Sequence, residues 1–130
     1  MVGCFGGMSL AAALCTHLIV TPQARLGMNG PEVIEQEAGI EEMDATDRGL
    51  IWSLIGGEQR HATGFADDLL EDDADAVAAA VRNAFSTASA SAPARSRQVE
   101  RYTELLRSID PKQPLDGESL RRLWQPRLMP

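Results

Sequence analysis

The first twenty residues, MVGCFGGMSLAAALCTHLIV, contain no Lys, Arg, Asp or Glu. Within that run the pattern changes character. Residues 2–5 are short, apolar and closed by Gly6-Gly7, the profile of a buried strand that ends in a tight turn. Residues 8–15 are rich in Ala and Leu without a breaker, which predicts a buried helix. Residues 17–20 read as the next strand, and TPQA turns at its proline. An extended piece over 25–28 stops at Asn29-Gly30. Pro31 suits the first turn of a helix, PEVIEQEAG, where its missing N–H costs nothing. Leu50, Ile51, Leu54 and Ile55 then follow a helical period behind a cap at Asp44 or Thr46, and Gly56-Gly57 ends that helix. A short helix over 58–63 stops at Gly64, and Leu69-Leu70 form a short strand within the mixed stretch 65–70. Val77, Val81 and Phe85 share one helical face. Val99, Tyr102, Leu105, Leu106 and Ile109 mark an amphipathic helix that ends before Pro111, and residues 118–124 form a last short one. Tail helices of this kind pack on their own domain or on a partner subunit.

Strand, glycine turn, helix, strand, extended piece, helix is an α/β order. Parallel sheets need several strands with both faces covered, and a strand that reaches its turn five residues from Met1 has few neighbours. The expectation is the later part of a larger domain, truncated on its N-terminal side. At 130 residues there is room for one modest domain, and 44% hydrophobic content supports a core. The net charge of −7 argues against a nucleic-acid partner. That charge is uneven: residues 1–90 hold 14 acidic and 4 basic side chains, whereas residues 91–130 hold 5 and 8. The change falls at STASASAPARS, a small-residue, proline-bearing stretch of linker type. The division expected is a catalytic part over 1–88 and a linker with helical tail over 89–130.

The apolar opening invites an export reading, but the first basic residue, Arg25, follows the run, so a signal peptide's charged front is missing. Leu14 stands before Cys15 where a lipoprotein signal needs a small residue. Gly3, Gly6, Gly7, Thr16 and His17 break up a membrane span. A cytoplasmic chain without membrane contact is expected. Cys4 and Cys15, eleven apart, match neither a zinc site nor a disulfide framework and read as buried thiols in a reducing compartment. EDDADAVAAA lacks the central glycine of a calcium loop. Its Asp72, Asp73 and Asp75 instead favour the dipole of the helix they precede, and no metal site is expected.

Chemistry enters at the glycine turn. Without Cβ atoms the backbone lets a ligand approach closely, and the helix behind it presents unpaired N–H groups with partial positive charge. Such fixed donors stabilise a developing oxyanion; tight helix–strand packing is the plainer use of the same glycines. Among other candidates, His17 reads as a packed core residue and His61 as exposed. Ser9 needs a histidine in space to act as a nucleophile. Glu35, Glu37, Glu41 and Glu42 read as a solvated face or a partner interface.

The stretch VGCFGGMSLAAALCTHLIVTPQARLGMNGPEVIEQEAG resembles the crotonase superfamily along its whole length. Within it, GMNGPEVIEQ is closer to acyl-CoA carboxyltransferase subunits. GCFGGMSLAAALC, GPEVIEQEAGIEEMDATDR and GGEQRHATGFADDLLEDD together are most similar to the beta-subunit family of biotin-independent malonate decarboxylases. The resemblance covers residues 2–88. It implies a crotonase-like spiral of ββα units and a malonyl thioester, carried by an acyl carrier protein, that loses carbon dioxide to give an acetyl thioester. The thioester oxygen becomes enolate-like as the bond breaks, so backbone donors are the catalytic need. By position the N–H of Gly7 is one donor, with Gly6 and Met8 shaping the turn; Gly30, Pro31 and Glu32 border the substrate. The resemblance also implies a gamma subunit, an acyl-transferase alpha subunit and a carrier-protein subunit bearing a phosphoribosyl-dephospho-CoA-type prosthetic group. No cofactor bound directly to this chain is implied. Leu10 stands where hydratases keep an acid, which argues against water addition. Glu32 stands where they keep a second one; a first-turn carboxylate that stabilises its helix is the alternative. A biotin-dependent carboxyltransferase subunit and an inactive truncated remnant are the competing readings.

Overall fold

The computed structural model describes residues 3–87 and 99–124. Four two-residue strands and seven helices alternate through them: β1 (Gly3–Cys4), α1 (Gly7–Leu14), β2 (Ile19–Val20), β3 (Arg25–Leu26), α2 (Pro31–Ala38), α3 (Arg48–Ile55), α4 (Gly57–Ala62), β4 (Asp68–Leu69), α5 (Ala74–Thr87), α6 (Val99–Ser108) and α7 (Gly117–Trp124). The chain is mixed α/β, as its pattern indicates. The strands form two parallel pairs, β1 with β3 and β2 with β4. Gly3 faces Arg25 and Cys4 faces Leu26 in the first, and Ile19 faces Asp68 and Val20 faces Leu69 in the second. Parallel neighbours require crossovers, and the residues between the paired strands supply them.

The centre of the fold is α3 with α4. Among the described residues, Val20, Leu26, Met43, Ile51 and Ala66 are the buried apolar ones, and Ile51 is 2% exposed. Each fully buried aliphatic side chain stabilises the fold by roughly 1.5–3 kcal/mol, so this small set concentrates stability around α3. Asp47 caps that helix, its Oδ1 accepting from Leu50 N at 2.9 Å. Asp44 and Thr46, the caps expected from sequence, instead bond each other one turn earlier: the Thr46 hydroxyl and N–H both donate to Asp44 Oδ1. Those bonds, the hydroxyl's first, hold the Asp44 carboxyl below its usual range. The α3–α4 turn fits because Gly57 has no side chain. Its N–H donates to Ala24 O at 2.8 Å, and a Cβ there would overlap the Thr21 carbonyl oxygen.

The apolar opening is not the buried unit its pattern suggests. In α1 only Ser9 is buried, while Met8, Leu10 and Leu14 are exposed, Leu14 at 77%. The run's lack of charge made it look interior, yet among the described residues little packs on its outer face. His17 is likewise not in a core: it precedes β2 and its Nε2 lies 2.7 Å from Asp68 Oδ2, both side chains 37% exposed. Cys15 is exposed and Cys4 half-buried, which corrects the buried-thiol expectation. Glu35, expected on a solvated face or a partner interface, turns inward instead: its Oε2 accepts from Ala45 N at 2.6 Å and ties α2 to the next loop. Asp73 caps α5 through Ala76 N at 2.8 Å, the role foreseen for that acidic cluster. Most of the STASASAPARS linker lies outside the described residues.

The tail docks on its own chain through one buried polar side chain. Gln59 of α4 is 1% exposed. Its Nε2 donates to Gly117 O at 2.7 Å, and its Oε1 accepts from Arg121 Nε at 2.5 Å. Tyr102 of α6 stacks on Trp124 of α7 with centroids 6.3 Å apart. Breaking buried hydrogen bonds of this kind costs about 1–3 kcal/mol. Gln59→Ala is therefore expected to free the tail, read as faster protease cleavage after residue 99 with the rest of the chain still protected.

Candidate active site

Because β1 and β3 run parallel, the segments leaving their carboxyl ends emerge side by side, Phe5-Gly6-Gly7 into α1 and residues 27–30 into α2. Two bonds stitch them together, Gly6 N–H to Met28 O at 2.8 Å and Gly27 N–H to Cys4 O at 3.2 Å. Gly6 has φ 62° and ψ −141°, a region open essentially to glycine alone. The Gly6 carbonyl then accepts from Ser9 N at 3.0 Å and from Ser9 Oγ at 2.7 Å. The Gly6 residue is thus gripped at both its N–H and its C=O. Ser9, considered above as a nucleophile, is a buried pin for this turn.

That grip fixes the groups that follow. Among the described residues, the N–H groups of Gly7 and Met8 have no hydrogen-bond partner, and both residues are exposed. No carboxylate sits in the first turn of α1, and beyond its chain neighbours and its own helix backbone nothing lies within 4 Å of where a Gly7 Cβ would be. The result is a helix N-terminus with two free donors, the positive end of a peptide-dipole array, under open space. Such an arrangement can bind and stabilise an oxygen that gains negative charge.

The second helix N-terminus lies beside it. Gly30 is the N-cap of α2, its carbonyl accepting from Val33 and Ile34 N at 3.1 Å, and Pro31 is buried at the first helical position. Glu32 is exposed in that first turn and folds back toward its own cap, with Oε2 3.4 Å from where a Gly30 Cβ would sit. The geometry therefore brings Gly6, Gly7, Met8 and the 28–30 loop together, and it gives Glu32 a helix-stabilising position. The Phe5 ring packs beneath, 3.0 to 3.9 Å from the Cβ positions that Gly3, Gly27 and Gly30 leave empty. His61 is exposed on α4. Sequence reasoning missed a cluster on the neighbouring surface, Arg25 and Arg48 around Trp52. The Arg48–Trp52 spacing of four on one helix face was the signal available.

No protein-family model matches the chain. Over 71 residues, 55% of this chain and 22% of the relative, it is 46% identical to malonyl-S-ACP:biotin-protein carboxyltransferase MADC of Malonomonas rubra. It is similar to a chain in the crystal structure of a Pseudomonas malonate decarboxylase hetero-tetramer in complex with malonate. That match has a TM-score of 0.89 and 51% identity over 95% of this chain and 45% of that one. A chain of the Pseudomonas malonate decarboxylase MdcD-MdcE hetero-dimer matches with a TM-score of 0.69 and 48% identity, over 83% and 42%. The resemblance to a malonate decarboxylase beta-type subunit is thereby shown. The chain spans less than half the length of the proteins it matches. Among the described residues, no helix is long and apolar enough to cross a membrane.

Proposed function

We propose that this chain supplies part of the crotonase-like beta subunit of a malonate decarboxylase, and with it one side of an oxyanion hole. The observation that carries the reading is the pair of unpartnered N–H groups on Gly7 and Met8, held by the gripped Gly6 and left under open space. In decarboxylation the bond between the α-carbon and the carboxylate breaks. Its electron pair moves toward the thioester carbonyl, whose oxygen takes up negative charge, and the α-carbon is then protonated. Carbon dioxide leaves. Donors fixed where that charge develops cost no reorganisation during the step, and each contributes about 3–4 kcal/mol. Gly7 N–H is the donor we assign, with Gly6 and Met8 setting its direction. Gly30, Pro31 and Glu32 are assigned to the border of the substrate.

The substrate in this reading is a malonyl thioester on the phosphoribosyl-dephospho-CoA-type arm of a carrier-protein subunit. Open space above Gly7 suits the approach of a thioester carbonyl. A gamma subunit is the proposed companion across the site, and an acyl-transferase alpha subunit the source of the malonyl thioester. The hetero-oligomeric state of the Pseudomonas relatives supports subunit partners in general. The name of the Malonomonas relative favours a second reading, carboxyl transfer to a biotin protein; the longer matches to the Pseudomonas structures favour decarboxylation. Co-expression with a candidate gamma subunit separates them. Given malonyl-loaded carrier protein, the complex is expected to release free carbon dioxide without biotin. Carbon dioxide release that requires a biotin protein, with label appearing on that protein, would establish the second reading instead.

A further inference from the structure

The first ninety residues hold only four basic side chains against fourteen acidic ones, and two of the four converge on one indole. The Arg25 guanidinium carbon lies 5.0 Å from the Trp52 ring centroid and that of Arg48 lies 5.1 Å from it. The two cations are therefore no more than about 10 Å apart. Like charges brought together in this way repel unless something offsets them. Among the described residues, neither arginine is within ion-pair distance of a carboxylate. The acids nearest in sequence are engaged elsewhere: Glu35 with Ala45 N, Asp44 with Thr46, and Asp47 with Leu50 N.

The frame around the two cations is fixed. Trp52 Nε1 donates to Pro22 O at 3.0 Å. Arg25 is held by its place in β3, and its guanidinium carbon is also 5.7 Å from the Phe5 centroid. Its Nε is buried and has no hydrogen-bond partner, the kind of orphaned donor that calls for an explanation. Arg25, Arg48 and Trp52, with Gln23, Pro22 and Ile51, line an open groove of about 620 Å³ whose lining includes no acidic residue.

We propose that this groove binds a phosphoryl dianion between Arg25 and Arg48, with the Gln23 amide as a further donor. A phosphate monoester carries between about 1.5 and 2 negative charges and three acceptor oxygens, which matches two guanidinium forks better than one carboxylate does. Cation–π packing on Trp52 holds the arginines in place, and the exposed Arg48 keeps N–H groups open to solvent. The assignment stands apart from the thioester reading, because it uses none of the residues of the glycine turn.

Trp52 is the reporter. In the 130-residue chain carrying Trp124→Phe, Trp52 is the sole tryptophan. Titration with inorganic phosphate is expected to change its emission saturably, beyond the effect of sodium chloride at equal ionic strength. Arg48→Gln, at an exposed position, is expected to weaken the apparent affinity at least about tenfold, in keeping with the value of charge-assisted hydrogen bonds. Arg25→Lys keeps the charge but loses the fork, and should weaken phosphate binding while the thermal melt stays cooperative. Calorimetric titration with phosphate and with malonate then separates the anion classes. Tighter binding of malonate, a response equalled by chloride, or phosphate affinity unchanged in Arg48→Gln would each overturn the proposal.

Discussion

Replacing Gly7 with valine is expected to lower turnover of a malonyl thioester by about 10²–10³-fold, the usual consequence of losing one oxyanion donor. The fold should survive. Gly7 is exposed, and beyond its chain neighbours and its own helix backbone nothing lies within 4 Å of the position its Cβ would take. Valine also has a better intrinsic helix propensity than glycine, so the change carries no propensity cost. On the proposed reading, valine fills space through which a thioester oxygen would approach the Gly7 N–H. The measurement is carbon dioxide release by the assembled complex, paired with a thermal melt of the same variant. Near-normal turnover with an unchanged melt would remove Gly7 from the reaction. The valine tests access alone, because the Gly6 grip that aims the donor remains in place.

The largest expected loss of stability comes from Gly57→Ala. A methyl group at this position overlaps the Thr21 carbonyl oxygen, which belongs to backbone and cannot rotate away. The Gly57 N–H is also committed to Ala24 O, so α4 cannot back off without breaking that bond. Overpacking usually costs about 1–3 kcal/mol, occasionally more, and this case belongs at the upper end. The affected turn joins α3 and α4, where Ile51 and Gln59 are buried, so the damage should spread through the core. A denaturant titration should show an early or uncooperative transition, and a midpoint within error of wild type would contradict the close approach.

How far the sequence carried the reading depends on which force set each element. Glycines and prolines marked nearly every turn correctly, because their effects are local: Gly6-Gly7 before α1, Pro31 opening α2, and Gly56-Gly57 between α3 and α4. The unpaired N–H groups at the start of α1 were legible for the same reason, since a glycine pair between strand and helix leaves such groups by backbone geometry alone. Burial was less legible. The uncharged opening promised an interior helix, yet α1 buries only Ser9, because burial depends on what packs against a face. His17 failed as a core residue for want of information about Asp68, fifty-one positions away. The cap moved from Asp44 or Thr46 to Asp47 because three polar residues within four positions compete for one helix end. The pairing of Arg25 with Trp52 is tertiary and left no trace in spacing.

The Gly6–Ser9 bonds have a mechanical consequence. They fix the N-terminal end of α1, while Leu14 near the other end is 77% exposed. An eight-residue helix is about 12 Å long, so a displacement at its far end would shrink in proportion to distance from the pinned turn. The Gly7 and Met8 N–H groups lie next to that turn and would keep their direction through such a displacement.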